Sequence, residues 1–579
     1  MSNSYYSNEQ LKDLRLRKIL QILGVFFLFV LIIILRLFYL QIDQGSKFSN
    51  LGKKNFLRTE VISPRRGNLL DRNGILLAAN RPVFDIYWEG LGGRSLSLDQ
   101  TKLLEKLKTI LNFKLEKDLN INAIKVAERY SKRTLLKKDI SFDELCCVSE
   151  QCADASNLVI ENRFKRVYPH RNIACHLLGY LSREEERYTT IGRYGLEKMF
   201  QDELKGEVGY ILNVINSKGT KLSQKSFKDA RAGNDIKLTL DLQLQNITEK
   251  LFEKDQEGAF VLMDPESGAI CALLSHPSFD PNVFLQPISQ ADWDGNLSIN
   301  NPLLNRVTNA EYPPASIFKL ITFAAGLEEG VIDFDSEFNC KGFTNFCGRK
   351  YHCIRHWGHG TLDLKLALAY SCNIPCYDIA FKTKINQLAD YAVRFGLGRK
   401  TGFLLPERSG LIPTYEWKVA VKGEPWWKGE TLSASIGQSY ALVTPLQMAR
   451  MISGICTGFL IKPRILEQEE IEQEELDISE KTLEFLRESM QEVVKSGSAK
   501  SLGRIKDFEV RAKTGTAQTA SLGREKVSKS QLEHAWLASY FKYKDEKPLV
   551  MIVLVEHAGS SGPARQIAAN FLVNYKKLK

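Results

Sequence analysis

The first strong feature of the chain is an apolar run with no periodicity at all. From Ile19 to Leu35 it reads ILQILGVFFLFVLIIIL, with Gln21 the one clearly polar residue, and after Arg36 the stretch LFYLQI continues apolar. A helix needs about 20 such residues to cross a bilayer. Upstream, Lys12, Arg15, Arg17 and Lys18 outnumber Glu9 and Asp13, which predicts a cytoplasmic N-terminus. The run is longer than the apolar core of a cleaved signal peptide, and no small-x-small cleavage site follows it. The prediction is an uncleaved membrane helix over 19–42 behind a cytoplasmic tail of 1–18. No second run of this length occurs, so about 540 residues are expected on the far side of one membrane.

Beyond the anchor the periods change. Ser63–Tyr87 (SPRRGNLLDRNGILLAANRPVFDIY) places the turn Asp71-Arg72-Asn73-Gly74 between two strand-like runs, a hairpin signal. Residues 98–160 are rich in Lys, Glu and Leu and predict helices. Gly233–Glu253 alternates like a strand and then turns helical, which marks the start of a second domain. Gly258–Asn282 holds two apolar strand runs around Asp264-Pro265-Glu266-Ser267-Gly268, and 534–543 with 548–558 form another strand pair before a helix-like tail. The acidic stretch 467–480 reads as a solvated loop or helix face. The predicted class is α+β and multidomain: a first extracytoplasmic domain over 43–235, then a domain over 236–579. The second has an antiparallel sheet whose edges come from both of its ends, flanked by helices.

Composition adds bounds. The 579 residues are too many for one core and predict two to four domains; 44% hydrophobic and 25% charged is a folded composition. The net charge of +11 suits anionic lipid or an anionic polymer, and equally a lysine-rich solvated surface. No basic helix interleaved with aromatics and no zinc-finger spacing of the nucleic-acid type occurs, so nucleic acid is excluded as a partner.

Candidate chemistry begins at EYPPASIFKLITFAAGLEEG (Glu311–Gly330). If Ser316 opens a helix, Lys319 three residues on shares its face, and a lysine whose pKa is lowered by burial can take the proton of a serine hydroxyl. An N-cap serine beside a solvated lysine has the same spacing, and Ser539 with Lys542 repeats it. A second motif, Ser371-Cys372-Asn373, follows the amphipathic LDLKLALAY and offers a hydroxyl to relay a proton and an amide to hold a substrate. A third, Lys513-Thr514-Gly515-Thr516, offers a cation and two hydroxyls for a carboxylate, with Gly515 letting a substrate backbone approach the strand. Each is weak alone. In order, 55 residues and then 142 residues apart, they form the set known from β-lactamases and penicillin-binding proteins.

The flanks YPPAS, WGHGTLDL, SIGQSYALVTPLQMA and AKTGTAQT, with PRRGNLLDRNGILLA near the N-terminus, resemble class B penicillin-binding proteins, and WGHG most resembles the elongation-type, PBP2-like subfamily. Ala315 and Ser439 stand where that family often has Gly. The resemblance implies an elongated α+β pedestal over 43–235 and a serine transpeptidase domain over 236–579. It implies a peptidoglycan D,D-transpeptidase of cell elongation and rod shape that is acylated by β-lactams. By that resemblance Ser316 is the nucleophile, Lys319 the base, Ser371 and Lys513 the proton relay and Asn373 the holder of the substrate amide. Thr514 and Thr516 bind the terminal carboxylate, beside Gly515. Implied partners are D-Ala-D-Ala stem peptides, β-lactams, the membrane, a SEDS-family (RodA-like) polymerase and elongation-complex scaffold proteins. A septal transpeptidase, a D,D-carboxypeptidase and a structural activator of the polymerase are the competing readings.

Eleven cysteines remain to be placed. Cys271 and Cys456 sit in apolar surroundings and read as core. Between the first two motifs, Cys340–Cys376 holds five cysteines with His352, His356 and His359. Acyl transfer requires no cofactor, but Cys340, Cys353, His359 and Cys372 supply four ligands for a structural zinc ion. Cys347 is a substitute for Cys340, and Cys376 reads as core. A Cys340–Cys353 disulfide or unpaired thiols fit the same spacing.

Overall fold

The computed structural model describes residues 8–112, 120–183, 190–216, 221–288, 290, 293–518 and 529–579. The apolar run lies in one helix, Asn8–Phe38, which passes into a short π-helical turn at Tyr39–Asp43. Among the described residues it is the one helix long and apolar enough to cross a membrane, and it buries none of that surface in protein.

The chain divides into two compact units that interleave in sequence, one made of residues 1–64, 82–165 and 207–231, the other of 65–81, 166–206 and 232–579. In the first unit, Leu57–Ile62, Gly209–Ile215 and Lys221–Lys228 form an antiparallel sheet in that order. The predicted helical stretch is only partly helical. Leu98–Ile110 and Phe142–Gln151 are helices opened by capping boxes at Ser97 and Ser141, but Arg133–Ile140 is a strand paired with residues 84–89. Leu136 and Ile140 of that strand are buried with Ile86, Trp88, Leu104 and Leu107, so packing overrides the helical composition. Glu128 is buried beneath them and accepts from Trp88 Nε1 (3.1 Å), Asn157 Nδ2 (3.2 Å) and the Leu91 N–H (3.2 Å).

The second unit is built on a five-stranded antiparallel sheet. Its order is Ile270–His276, Gly258–Met263, Leu549–Val555, His534–Tyr543 and Phe508–Ala517, so its edges come from the two ends of the domain as expected. The middle strands are almost continuously apolar because both faces are covered. The C-terminal helix Gly562–Leu578 sets Phe571 against Phe260 and Phe541, with ring centroids 5.0 and 6.2 Å apart. The helix Pro445–Thr457, opened by a Thr444 capping box, also packs on the sheet and is buried along nearly its whole length. Cys271 is buried and Cys456 half-buried, in line with core roles.

A buried carboxylate gives this unit a pH dependence. Glu249 accepts from the Ala174 N–H (3.2 Å) and Gln245 Nε2 (3.1 Å), and burial pushes its carboxyl up to about 7. The folded state therefore holds this proton more tightly than the unfolded chain, and that contribution is lost as pH rises from about 4.5 through about 7. Glu249→Gln is expected to stabilise the protein by roughly 2–3 kcal/mol above that window and to leave it little changed below it. Thermal unfolding of both proteins at several pH values checks this; an equal Tm at every pH contradicts it.

Candidate active site

The three motifs converge on one place in the second unit. Ser316 sits in a 3-10 turn, Ala315–Ile317, that runs into the buried helix Lys319–Glu328. Lys319 follows three residues after the serine as the first residue of that helix. Ala315 has φ +51, its N–H donates to Gly437 O (2.9 Å), and a side chain at Gly437 would collide with Ala315 O at 2.1 Å. The loop after Ser435 therefore holds the nucleophile turn in place. Ser439 in the same loop has φ +73. Both positions where this chain replaces the family's glycine are thus left-handed, and each non-glycine residue there costs roughly 1 kcal/mol.

Ser371 closes the helix Leu364–Ala369. The Cys372 N–H donates to Ala367 O (2.8 Å) and the Ser371 N–H to Leu368 O (3.1 Å), with Ser371 left-handed at φ +56. This is a Schellman closure with serine where glycine is usual. The third motif lies on the edge strand Phe508–Ala517, where Lys513 is fully buried.

The sequence placed Lys319 on Ser316; the structure turns its ammonium to the second motif. Lys319 Nζ donates to Ser371 O (2.6 Å), Asn373 Oδ1 (2.7 Å) and Ser371 Oγ (3.2 Å), and the Ser316 hydroxyl has no hydrogen-bond partner among the described residues. Lys513 Nζ reaches the same Ser371 Oγ at 3.0 Å. Two lysines thus share one hydroxyl, and among the described residues neither has a carboxylate partner. Burial lowers both pKa values, and the neighbouring Lys319 charge lowers that of Lys513 further. Two adjacent ammonium groups in a dry site disfavour each other, which favours the loss of a proton from one of the pair.

Several contacts were not legible in the sequence. Asn373 Nδ2 donates to the His352 carbonyl (2.9 Å) and to Tyr377 Oη (3.3 Å), so the asparagine amide is oriented by a residue of the cysteine-rich segment. Thr514 Oγ1 pairs with Ser498 Oγ at 2.5 Å. At Gly515 a Cβ would crowd Trp536 at 3.2 Å, Ala315 at 3.3 Å and Ile317 at 3.4 Å. The glycine admits the nucleophile turn against the strand. Thr516 is half-buried at the strand's end, and its carbonyl accepts from Gln438 Nε2 at 3.3 Å.

The cysteine-rich segment ends beside this site. Cys340 and Cys353 each place Sγ 3.5 Å from His359 Nδ1, Cys353 Sγ lies 3.7 Å from Cys372 Sγ, and all four ligand atoms lie within 4.8 Å of one another. The Asn373 N–H donates to Cys353 Sγ (3.4 Å). The Cys372 thiol, donating to Cys353, lowers the pKa of that thiol. No cysteine is in a disulfide; Cys347 is exposed and Cys376 is buried outside the cluster.

A model of the penicillin-binding protein transpeptidase domain matches residues 258–573. The chain belongs to the penicillin-binding protein transpeptidase family. The model of the penicillin-binding protein dimerisation domain matches residues 61–238. Among curated relatives, peptidoglycan D,D-transpeptidase MrdA of Acinetobacter baumannii is 31% identical over 94% of this penicillin-binding protein and 85% of its own length. MrdA of Escherichia coli K12 is 29% identical over 92% and 89%. Of solved structures, PBP2 in complex with MreC from Helicobacter pylori superposes with a TM-score of 0.77 at 27% identity, covering 90% of this chain and 99% of that one. A peptidoglycan synthase complex that coordinates polymerization and crosslinking gives 0.74 at 29% identity, covering 97% and 98%.

Proposed function

We propose that this penicillin-binding protein is a membrane-anchored peptidoglycan D,D-transpeptidase of cell elongation with Ser316 as nucleophile. The observation that carries the reading is the shared contact of Lys319 and Lys513 on Ser371 Oγ beside the Ser316 turn. Neutral Lys319 takes the Ser316 proton as Oγ attacks the carbonyl carbon of the penultimate D-Ala. The Ser371 hydroxyl, between the two lysines, passes a proton to the departing amine as the C–N bond breaks and the terminal D-Ala leaves. An amine of a neighbouring stem then attacks the ester and regenerates the serine. Backbone N–H groups of Ser316 and Thr516 form the oxyanion hole, each worth about 3 kcal/mol in comparable acyl transfer. Asn373 positions the substrate amide, and Thr514 and Thr516 hold the terminal carboxylate.

The motifs do not choose between water and amine as acceptor. Polymeric glycan strands with pentapeptide stems, incubated with the protein and digested, are expected to yield cross-linked dimers; tetrapeptide monomers alone would make it a carboxypeptidase. The basic N-terminal flank supports a cytoplasmic N-terminus, with the catalytic unit outside the membrane. The likeness to PBP2 bound to MreC and to a synthase complex supports work beside a scaffold protein and a RodA-like polymerase of the SEDS family.

Cys340, Cys353, His359 and Cys372 are assigned here to a structural zinc ion. Zinc bound at its usual lengths in a tetrahedron sets sulfur–sulfur edges of about 3.8 Å and nitrogen–sulfur edges of about 3.6 Å. The observed 3.7 and 3.5 Å fit those edges, and three of the four ligands are buried. When bound, the ion ties the segment to the helix end that carries Ser371 and Asn373. It takes no part in acyl transfer.

A further inference from the structure

The segment that ends at the catalytic cleft also carries a surface the acyl-transfer chemistry does not use. Phe343–Phe346 and Arg349–His352 form a two-stranded antiparallel hairpin. Its register puts Phe343, His352, Asn345 and Lys350 on one face and Thr344, Tyr351, Phe346 and Arg349 on the other. The second face packs inward, with Phe346 against Phe381 (4.8 Å between ring centroids) and Tyr351 against Tyr377 (5.9 Å). All four residues of the first face are exposed.

That face is basic and aromatic. Lys350 Nζ lies 4.7 Å from the Phe343 ring centre, and the His352 and His356 rings are 5.5 Å apart. The turn that follows presents Ile354 at 62% and Trp357 at 79% exposure, with the Arg355 guanidinium 5.6 Å from the Trp357 ring. From Lys341 to Leu362 there are four Lys or Arg residues and no Asp or Glu. Among the described residues, none of the four cations is paired with a carboxylate.

The turn is also rigid. The Cys353 N–H donates to Gly342 O (2.8 Å), the His359 N–H to Cys340 O (3.0 Å) and the Gly358 N–H to Arg355 O (3.0 Å). Side chains at Gly342 and Gly358 would strike His356 O at 2.0 Å and Cys340 O at 2.2 Å, so two backbone strands meet with no room for a Cβ. A large apolar side chain held in water on a fixed backbone marks a contact site.

We propose that this face binds the substrate polymer itself: glycan strands with carboxylate-bearing stem peptides, gripped outside the catalytic cleft. Flat pyranose faces stack on exposed rings such as Trp357 and Phe343, while Lys350 and Arg355 meet the carboxylates of the stems. The hairpin is tied to the site by hydrogen bonds: the His352 carbonyl accepts from Asn373 Nδ2, and Asn373 Oδ1 accepts from Lys319 Nζ. A strand held here is positioned to deliver a stem to Ser316. The proposal rests on the transpeptidase reading and adds a polymer-binding surface to it.

The test is co-sedimentation with purified peptidoglycan sacculi, alongside vesicles of phosphatidylglycerol, at two salt concentrations. The wild-type protein is expected to sediment with sacculi, and more weakly at high salt. Lys350→Gln/Arg355→Gln/Trp357→Ala is expected to bind about tenfold more weakly, and the single Lys350→Glu to weaken in the same direction. A wild type that does not sediment, or variants that sediment like it, would overturn the proposal. So would variants that lose vesicle binding while keeping sacculus binding, which would make the face a lipid contact. Penicillin acylation of the wild-type protein is scored separately. Its absence would refute the transpeptidase reading, whatever the sacculi show.

Discussion

Lys319→Met is expected to acylate with penicillin about a thousandfold more slowly than the wild type, or not at all. The methionine keeps an unbranched apolar stem in a fully buried position and removes the lysine proposed as the base. Ser371 O and Asn373 Oδ1 lose a donor, which costs about 1–3 kcal/mol of stability, so the fold is retained with a modestly lower Tm. Second-order rate constants with a fluorescent penicillin, read with the Tm of each protein, check both parts. A folded Lys319→Met protein that acylates within tenfold of the wild-type rate contradicts the role given to this lysine.

The second large effect is on stability and acylation together. Protein purified without chelator is expected to carry about one zinc ion per chain, and its removal to lower Tm by many degrees, because structural zinc contributes about 10 kcal/mol or more in small domains. Acylation is expected to fall in parallel. Cys372 lies between Ser371 and Asn373, and the Asn373 N–H bonds Cys353 Sγ, so loss of the ion loosens two residues of the catalytic cleft at once. Cys372→Ser should reproduce both effects without chelator, and added zinc should restore the chelated wild type but not this variant. Metal-free protein with a Cys340–Cys353 bridge in peptide mass mapping contradicts the zinc assignment.

What the sequence disclosed was the set of motifs that the fold brings together, because the order and spacing of three short motifs survive without coordinates. It also disclosed the sheet, since Asp264–Gly268 and the runs ending in Val555 carry turn and strand signals locally. What it could not disclose depends on residues far apart in sequence. Ser371 and Lys513 meet across 142 positions, and only the meeting of helix end and edge strand shows that both lysines address one hydroxyl. Ser498 on Thr514 and the carbonyl of His352 on Asn373 span only 16 and 21 positions, but each contact joins two separate elements. Gly515 was legible as a place of close approach, and the side chains of Trp536, Ala315 and Ile317 are what a Cβ there would meet within the protein itself. The strand at Arg133–Ile140 was missed because its Lys-rich composition reads as helix, while the burial of Leu136 and Ile140 decides it. The grouping of Cys340, Cys353, His359 and Cys372 was legible because three of them fall within 20 residues and the fourth lies inside a motif, and the structure brings the four together.

Intact-mass analysis of the purified protein after exposure to penicillin, followed by peptide mapping, addresses the nucleophile directly. One adduct per chain, on the peptide containing Ser316 and absent from Ser316→Ala, is the predicted result. An adduct elsewhere, for instance on Ser539, or an undiminished adduct on Ser316→Ala, would contradict it.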